Sequence, residues 1–249
     1  MFKTTKALVL REVKYKEADK ILTVLTEDEG KLTVCARGVL RKGSKIAAAC
    51  QLLTFSEMTL FENRGKWYIN EGQTIEQFLG LREDIADLAL GVYFAELLEA
   101  VSDEDSPNPQ VLSLGLNSLY ALARHLYSPE HIKAVFELKL MCLSGYEPGV
   151  DCCGSCGSEA VEEADFGLYS GCLVCRDCSI RESRDIGRKK LDIYCIRAMR
   201  HIVDSWGKKL FSFTLEDGSM KFLSSICEEY VSAQLERRFS SLDYWKSVR

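Results

Sequence analysis

The 249-residue chain carries 47% hydrophobic and 28% charged side chains and a formal net charge of −5, the balance of a soluble globular protein. No apolar run reaches the roughly 18 residues of a membrane span. No small-residue cleavage site follows the charge-interrupted start MFKTTKALVLREV, so a reducing cytoplasmic setting is expected. The net charge excludes wholesale polyanion binding, but its distribution is uneven. Residues 31–70 hold seven Lys/Arg against two Glu, residues 81–178 hold five basic against seventeen acidic, and residues 179–249 hold fourteen basic against ten acidic. A polyanion would therefore be met by a patch and not by the whole surface.

From Thr5 to about Gln77 the pattern is strand-like. KALVLREV, KILTVLTE, KLTVCARGV, LTFSEMTLFE and GKWYINEGQTI are short runs rich in Val, Leu, Thr and aromatic residues, separated by polar turns. EDEG and NRG read as hairpin turns, and five such strands suggest a small barrel or an open antiparallel sheet. The basic loop RGVLRKGSKIAAACQ joins the third run to the fourth and is expected to end in a helical turn. After Phe78 the period changes: residues 82–101 space apolar side chains as an amphipathic helix does. Pro107 and Pro109 break it, and a second helix runs to about Leu126. A third starts near Pro129 and ends at Gly145. Further helices are expected near 189–206 and 219–239. The expected fold class is α+β and multidomain: a β domain over 1–79, then an α-helical domain over 80–249 with a cysteine-rich insertion at about 150–180.

That insertion, residues 152–178, holds six of the eleven cysteines. In a reducing compartment such cysteines are metal ligands or small buried hydrophobes and not a disulfide frame. Cys153-Gly-Ser-Cys156 and Cys175-Arg-Asp-Cys178 form C-x2-C-x18-C-x2-C, a zinc-site spacing in which each C-x-x-C turn sets two sulfurs on one edge of a tetrahedron. Cys172-Leu-Val-Cys175 offers a second register, and Cys152 adjoins Cys153. The preferred ligands are Cys153, Cys156, Cys175 and Cys178, with Cys152 and Cys172 as neighbours or substitutes. Four thiolates leave a tetrahedral ion no open position, so one structural Zn2+ per chain is expected. The alternatives are six reduced cysteines without metal, or a disulfide redox switch. Cys35, Cys50, Cys142, Cys195 and Cys227 stand singly in apolar patterns and are expected in the core.

Signatures of catalysis are missing. With three histidines, no H-x-E before the cysteine pairs, and no G-x-x-x-x-G-K-[ST], G-x-G-x-x-G or G-x-S-x-G, no enzyme is expected. The acidic stretches SDEDS and EEADF read as solvated loops. By contrast, Lys31, Arg37, Arg41, Lys42, Lys45, Arg64 and Lys66 fall on or between the third to fifth strands, with Trp67 and Tyr68 beside the last pair. Cations for phosphates and aromatic faces for bases are what a nucleic-acid binder needs. The plain alternative is solvated lysines; Trp67 on its own reads as core.

The stretch YKEADKILTVLTEDEGKLTVCARG, with Tyr15, Glu17, Asp19, Gly30 and Ala36-Arg37-Gly38, resembles the N-terminal signature of the RecO family of recombination mediators. VDCCGSCG and SGCLVCRDC resemble that family's two zinc knuckles, although Cys172 stands where a second glycine is usual and Cys152 is extra. The resemblance implies an N-terminal OB-fold, then a helical domain carrying the zinc module. It also implies binding of single- and double-stranded DNA, strand annealing, and work with RecR to load RecA onto DNA coated by single-strand-binding protein, in a nucleoid-associated cytoplasmic protein. The acidic-apolar tail of the single-strand-binding protein needs a basic rim around an apolar pocket. Lys190, Arg197 and Arg200, on a helix from about 189 with Leu191, Ile196 and Met199 nearby, are expected to supply it. The equal alternative there is solvated charge beside a core face. For the whole chain the rival readings are a zinc-ribbon adaptor that binds only protein, a redox-regulated protein whose cysteines form disulfides, and a nuclease or hydrolase with an unrecognised site.

Overall fold

Alternating side chains give each of the first strands one dry and one wet face. In the computed structural model, which describes residues 2–159, 163–181 and 187–249, these are β1 (Phe2–Tyr15), β2 (Asp19–Thr26), β3 (Lys31–Ala36), β4 (Phe55–Asn63) and β5 (Lys66–Glu76). They close into a barrel in the order β1-β2-β3-β5-β4, with β4 paired back onto β1. All pairings are antiparallel except β3 with β5, which meet through Val34↔Trp67 and Cys35↔Tyr68. A five-stranded closed barrel of this kind is OB-like, and closure excludes the open sheet. β1 starts earlier than its sequence pattern suggests, and its register shift between Val9 and Arg11 bends one long strand around two neighbours.

Inside the barrel Ala7, Val9, Leu22, Val24, Val34 and Met58 are fully buried. The basic connection after β3 does more than link strands. Val39 and Cys50 join the same core cluster, and Ile46 and Ala47 pack against it. It ends in the expected helical turn, where Cys50 N–H donates to the Ile46 carbonyl at 3.1 Å. Gly72 on β5 makes room: a Cβ there would stand 2.9 Å from that of Ala49. The two-residue loop Arg64-Gly65 takes positive φ at both positions (53° and 71°), the hairpin geometry whose twist suits its strands.

The helices are α1 (Ile85–Val101), α2 (Pro109–Ala123), α3 (Pro129–Leu143), α4 (Arg176–Arg181), α5 (Ile193–Asp204), α6 (Asp217–Gln234) and α7 (Ser240–Val248). Their starts are written in the sequence. Asp84, Asn108, Ser128 and Asp192 each accept a backbone N–H of the first turn, and Pro109 and Pro129 occupy positions whose N–H groups would have no helical partner. Gly145, at φ 85°, ends α3 as expected, with Tyr146 N–H reaching back to the Met141 carbonyl at 2.9 Å.

Four short strands were not foreseen: β6 (Gly149–Cys153), β7 (Ala164–Gly167), β8 (Cys172–Cys175) and β9 (Arg188–Leu191), in the order β6-β8-β7-β9. The helix expected from 189 therefore begins only at Ile193, because residues 188–191 pair with β7 and Asp192 caps α5. The helix expected to reach 239 stops at Gln234, with a left-handed turn at Glu236 (φ 49°) before α7. Contacts divide the chain into two compact units, residues 1–126 with 239–249, and residues 127–238.

Within the first unit the β2–β3 turn seats against the α1–α2 connection. Gly30 (φ +70°) leaves no space: a Cβ would come within 2.7 Å of the Asp103 carbonyl oxygen. Lys31 donates from its backbone N–H to Asp103 at 3.0 Å and from its ammonium to the Glu99 carbonyl at 2.9 Å. Gly30→Ala combines backbone strain with that collision, so an expected loss of about 2–4 kcal/mol of unfolding free energy is to be read from urea titration.

In the second unit α3 and α6 enclose Lys133. Its ammonium, 1% exposed, lies 3.0 Å from Glu137 and 3.1 Å from Glu228 and also donates to Ser224, so the buried charge is compensated. His131, on the same helix, packs among Tyr127, Phe211 and Phe213, with no hydrogen-bond partner for Nε2 among the described residues. Burial first, then the neighbouring His201, pulls its pKa down to about 4. A base with a depressed folded pKa binds fewer protons folded than unfolded, so its cost grows as pH falls from the unfolded value of about 6.5 toward about 4. Stability should drop by roughly 2 kcal/mol between pH 7 and pH 5 from this residue. Denaturant titrations at the two pH values should show that difference shrinking in His131→Phe.

Candidate metal centre and barrel interface

The strand β6 runs into the first cysteine turn, and β8 runs into α4, which delivers the second. One ligand atom from each of Cys153, Cys156, Cys175 and Cys178 lies within 4.8 Å of all the others. Cys156 Sγ and Cys175 Sγ are 3.8 Å apart. A tetrahedron with metal–sulfur bonds of about 2.3 Å has edges of about 3.8 Å, so the four sulfurs fit a thiophilic ion. Gly157 (φ 72°) reverses the chain after the first pair, its N–H donating to the Cys153 carbonyl at 2.8 Å. Cys172 does not join the four. Its sulfur sits 3.5 Å from Ser170 Oγ and beside Gly154, where a Cβ would meet it at 2.7 Å. Gly154 is thus glycine because two chain segments meet there.

Polar donors converge on the sulfurs. Cys175 N–H reaches Cys153 Sγ at 3.2 Å, and the Arg181 guanidinium reaches Cys178 Sγ at 3.0 Å. Burial opposes charge on Cys153, but the N–H groups of Cys175, Cys156 and Ser155 together outweigh it and hold its pKa at about 6. Cys178 goes the other way, to about 12, through burial and then its neighbours Cys175 and Cys156. Four thiols this close cannot all ionise by themselves; a cation that takes all four sulfurs removes the conflict and leaves no position for water or substrate. Of the five cysteines outside the segment, Cys50, Cys195 and Cys227 are buried as expected, whereas Cys35 and Cys142 are only half-buried.

Cys175→Ser should empty the purified protein of metal, by elemental analysis, and lower its melting temperature. Arg181→Ala should keep the ion but release it several-fold faster to a chromogenic chelator, with Arg181→Lys in between.

The predicted basic residues separate into distinct groups. Lys31 is committed to α1 through Glu99 and is not part of an open surface. Arg41, Lys42 and Lys45 are exposed on the β3–β4 connection and pair with no carboxylate of the described residues. Arg37 lies with its guanidinium 4.0 Å over the Tyr68 ring, and Tyr68 stacks on Phe61 at 5.2 Å. Arg64 and Lys66 are exposed at the β4–β5 hairpin. Lys66, Trp67, Tyr68 and Arg37 share one groove with Tyr15 and Lys16 of the β1–β2 turn. Lys16 was missed because its turn is distant in sequence; only the parallel β3–β5 pairing and the barrel's closure bring the two segments together. Trp67 is half-buried and packs against the barrel core while also lining the groove. The signature residues acquire a purpose here. Asp19 accepts the Gly38 N–H at 2.7 Å and the Ala18 carbonyl accepts Leu40 N–H at 2.9 Å, pinning the start of the basic connection to the β1–β2 turn.

Lys190, Arg197 and Arg200 do not share a helix face. Lys190 is on β9, with Nζ 3.7 Å from Glu163. Arg200 is pinned to β6, donating to the Val150 carbonyl at 2.7 Å and the Asp151 carbonyl at 3.0 Å. Arg197 is exposed, but Leu191, Ile196 and Met199 are buried and form interior, not an open pocket. The sequence pattern was that of an amphipathic helix; its apolar stripe is already covered.

An OB-like barrel with a cationic wall, together with a helical unit bearing a four-thiolate cluster, defines the architecture. Family models agree with it: residues 1–78 match the recombination protein O N-terminal model and residues 82–243 the recombination protein O C-terminal model. The DNA repair protein RecO of Acetivibrio thermocellus is 32% identical over 244 residues, covering 98% of this chain and 96% of the relative. Those of Alkaliphilus metalliredigens and Listeria monocytogenes are 29% and 28% identical over 98% and 97% of this chain, and over 98% and 95% of their own lengths. The chain belongs to the RecO family. Among the described residues no helix is long and apolar enough to cross a membrane.

Proposed function

We propose that the chain is a DNA repair and recombination mediator that holds single- and double-stranded DNA on its barrel wall and promotes annealing without making or breaking covalent bonds. One observation supports this most strongly. Arg41, Lys42 and Lys45 stand exposed beside Arg37 on a connection that the barrel core holds in place, free of carboxylate partners among the described residues. Such cations exchange condensed counterions for phosphates. With two strands bound, the same neutralisation lowers their mutual repulsion and lets bases pair. On this reading the surface acts electrostatically and sterically, by holding phosphates and bringing two strands together.

The names of the relatives, DNA repair protein RecO, support a place in recombinational repair. RecR, RecA acting on coated strands, and the tail of single-strand-binding protein are proposed partners on the family resemblance. For the tail, Lys190 and Arg197 are the exposed cations of the expected trio, on β9 and α5 respectively, and the apolar half of its receptor must come from elsewhere in the chain. The four-sulfur cluster is proposed to hold one zinc ion, as a cross-link within its module.

Reversing Arg41, Lys42 and Lys45 to Glu should weaken oligonucleotide binding at least tenfold in low salt. It should also reduce the slope of log affinity against log salt by about 2 for a single strand. Filter binding across a salt series measures both, and wild-type values for both would overturn the surface assignment. Lys31→Ala is the contrasting variant: it should lower stability and leave the salt slope unchanged.

A further inference from the structure

Where β5 hands the chain on to the helices of the first unit, a pocket of about 450 Å³ opens between the end of that strand and the end of α2. We propose that it binds a primary ammonium group carried on an aliphatic stem, as in a small diamine or a lysine side chain. The pocket shares no residue with the basic connection or with the barrel groove, so it is independent of the DNA surface.

Close packing fixes its shape. The 3-10 turn Leu79–Arg82 lies so tightly against the end of α2 that a Cβ on Gly80 would stand 2.1 Å from the Ala123 carbonyl oxygen. Phe78 and His125, one on each of these two segments, both take the left-handed backbone (φ 48° and 49°) that strains a residue other than glycine. Both line the pocket, so the fold holds this cavity open at a cost in backbone strain.

The lining selects the occupant. Glu76 and Glu83 have no cation within ion-pair distance among the described residues. Arg82, next to Glu83 in sequence, is committed to the carbonyls of Gln77 and Leu52 at 2.8 and 3.0 Å. Of the pocket's own bases, Arg124 lies over the Tyr120 ring, 5.6 Å from its centroid, and His125 Nδ1 is 3.5 Å from the buried Asp87 carboxylate. Two carboxylates against one guanidinium leave a net negative charge, to which α2 adds the negative end of its dipole. The occupant is therefore a cation. A bare metal ion does not fit, because among the described residues no three potential ligands here converge on one point. One oxygen of Glu76 already accepts the N–H groups of Gln77 and Phe78, both at 2.9 Å, so a two-pronged guanidinium pairing is not offered and a point charge suits the site. Phe78 and Leu79, the latter 60% exposed, add the hydrocarbon against which methylenes pack.

Chemical-shift titration of the full-length, 15N-labelled protein tests this with three probes at constant ionic strength: 1,5-diaminopentane, Nα-acetyl-lysine N-methylamide and magnesium chloride. An amine should shift the amides of Phe78, Leu79, Gly80, Arg124 and His125 and saturate them with a dissociation constant of about 1 mM, the scale for a ligand of so few atoms. Saturation by either amine supports the site, and the stronger of the two identifies a free diamine or a lysine side chain as its source. Glu76→Gln with Glu83→Gln keeps the oxygen that the backbone N–H groups need and should weaken the amine about fivefold. Glu83 is exposed, so Glu83→Gln alone leaves the fold intact and should weaken it about twofold. Magnesium that reproduces the same saturating shifts overturns the proposal, because the aliphatic stem then counts for nothing. Amine shifts that do not saturate, that fall elsewhere, or that persist at full affinity in both variants overturn it as well.

Discussion

Two residue pairs join β3 to β5, and the barrel depends on them. Val34 opposite Trp67 and Cys35 opposite Tyr68 make the one parallel seam of the sheet, between strands whose neighbours are otherwise antiparallel. Without it β3 and β5 would each present a row of unpaired backbone groups, and the sheet would have edges to manage. With it the sheet closes, and residues about thirty positions apart become neighbours. Arg37 settles on Tyr68, Lys66 and Trp67 face the β1–β2 turn, and the basic connection must cross the end of the barrel, where Val39 and Cys50 anchor it. Closure thus fixes the interior and sets out charge and aromatic surface on the exterior.

The cysteine module within the second unit draws on a different force. Strands of four or five residues cannot bury much, and those around the cysteines carry sulfur where larger apolar groups would otherwise pack. Sulfurs brought within 4.8 Å of each other raise an electrostatic conflict that hydrogen bonds from Cys175 and Arg181 relieve only in part. An ion held by all four sulfurs would resolve it, and its binding energy would then serve as folding energy for this module. The Lys133 network beneath α6 follows the same rule at a smaller scale: a buried charge persists because each of its protons has a partner.

Much of this was legible from local sequence. EDEG and NRG specify reversals through positive-φ glycines, Pro109 and Pro129 mark helix starts beside Asn108 and Ser128, and Gly145 marks a stop. Such signals act over a few residues, so no tertiary knowledge is needed. The cysteine spacing was legible for a related reason, since coordination geometry constrains sequence intervals directly. The strands β6 to β9 were not, because four residues allow too few alternations to show a period. Lys31 could not be told from Lys42 by charge alone; a carbonyl of α1 claims one and water the other. Lys190 looked helical because a stripe of apolar residues continues across the strand–helix junction that Asp192 creates. α7 was hidden by its shortness, with Leu242 and Trp245 as its only buried side chains.

That last helix has a temporal consequence. Phe239 meets the ring of Tyr93 at 5.9 Å and Ser241 donates to Glu96, so segments some 145 positions apart complete a single unit around α1. A ribosome delivers α1 long before its cover. Throughout that interval the nascent barrel carries an unshielded oily flank, while the intervening residues 127–238 must fold as a self-contained loop between the two. Messages cut short after the cysteine module would thus yield chains with a finished barrel and a bare helix, natural clients for chaperones or proteases.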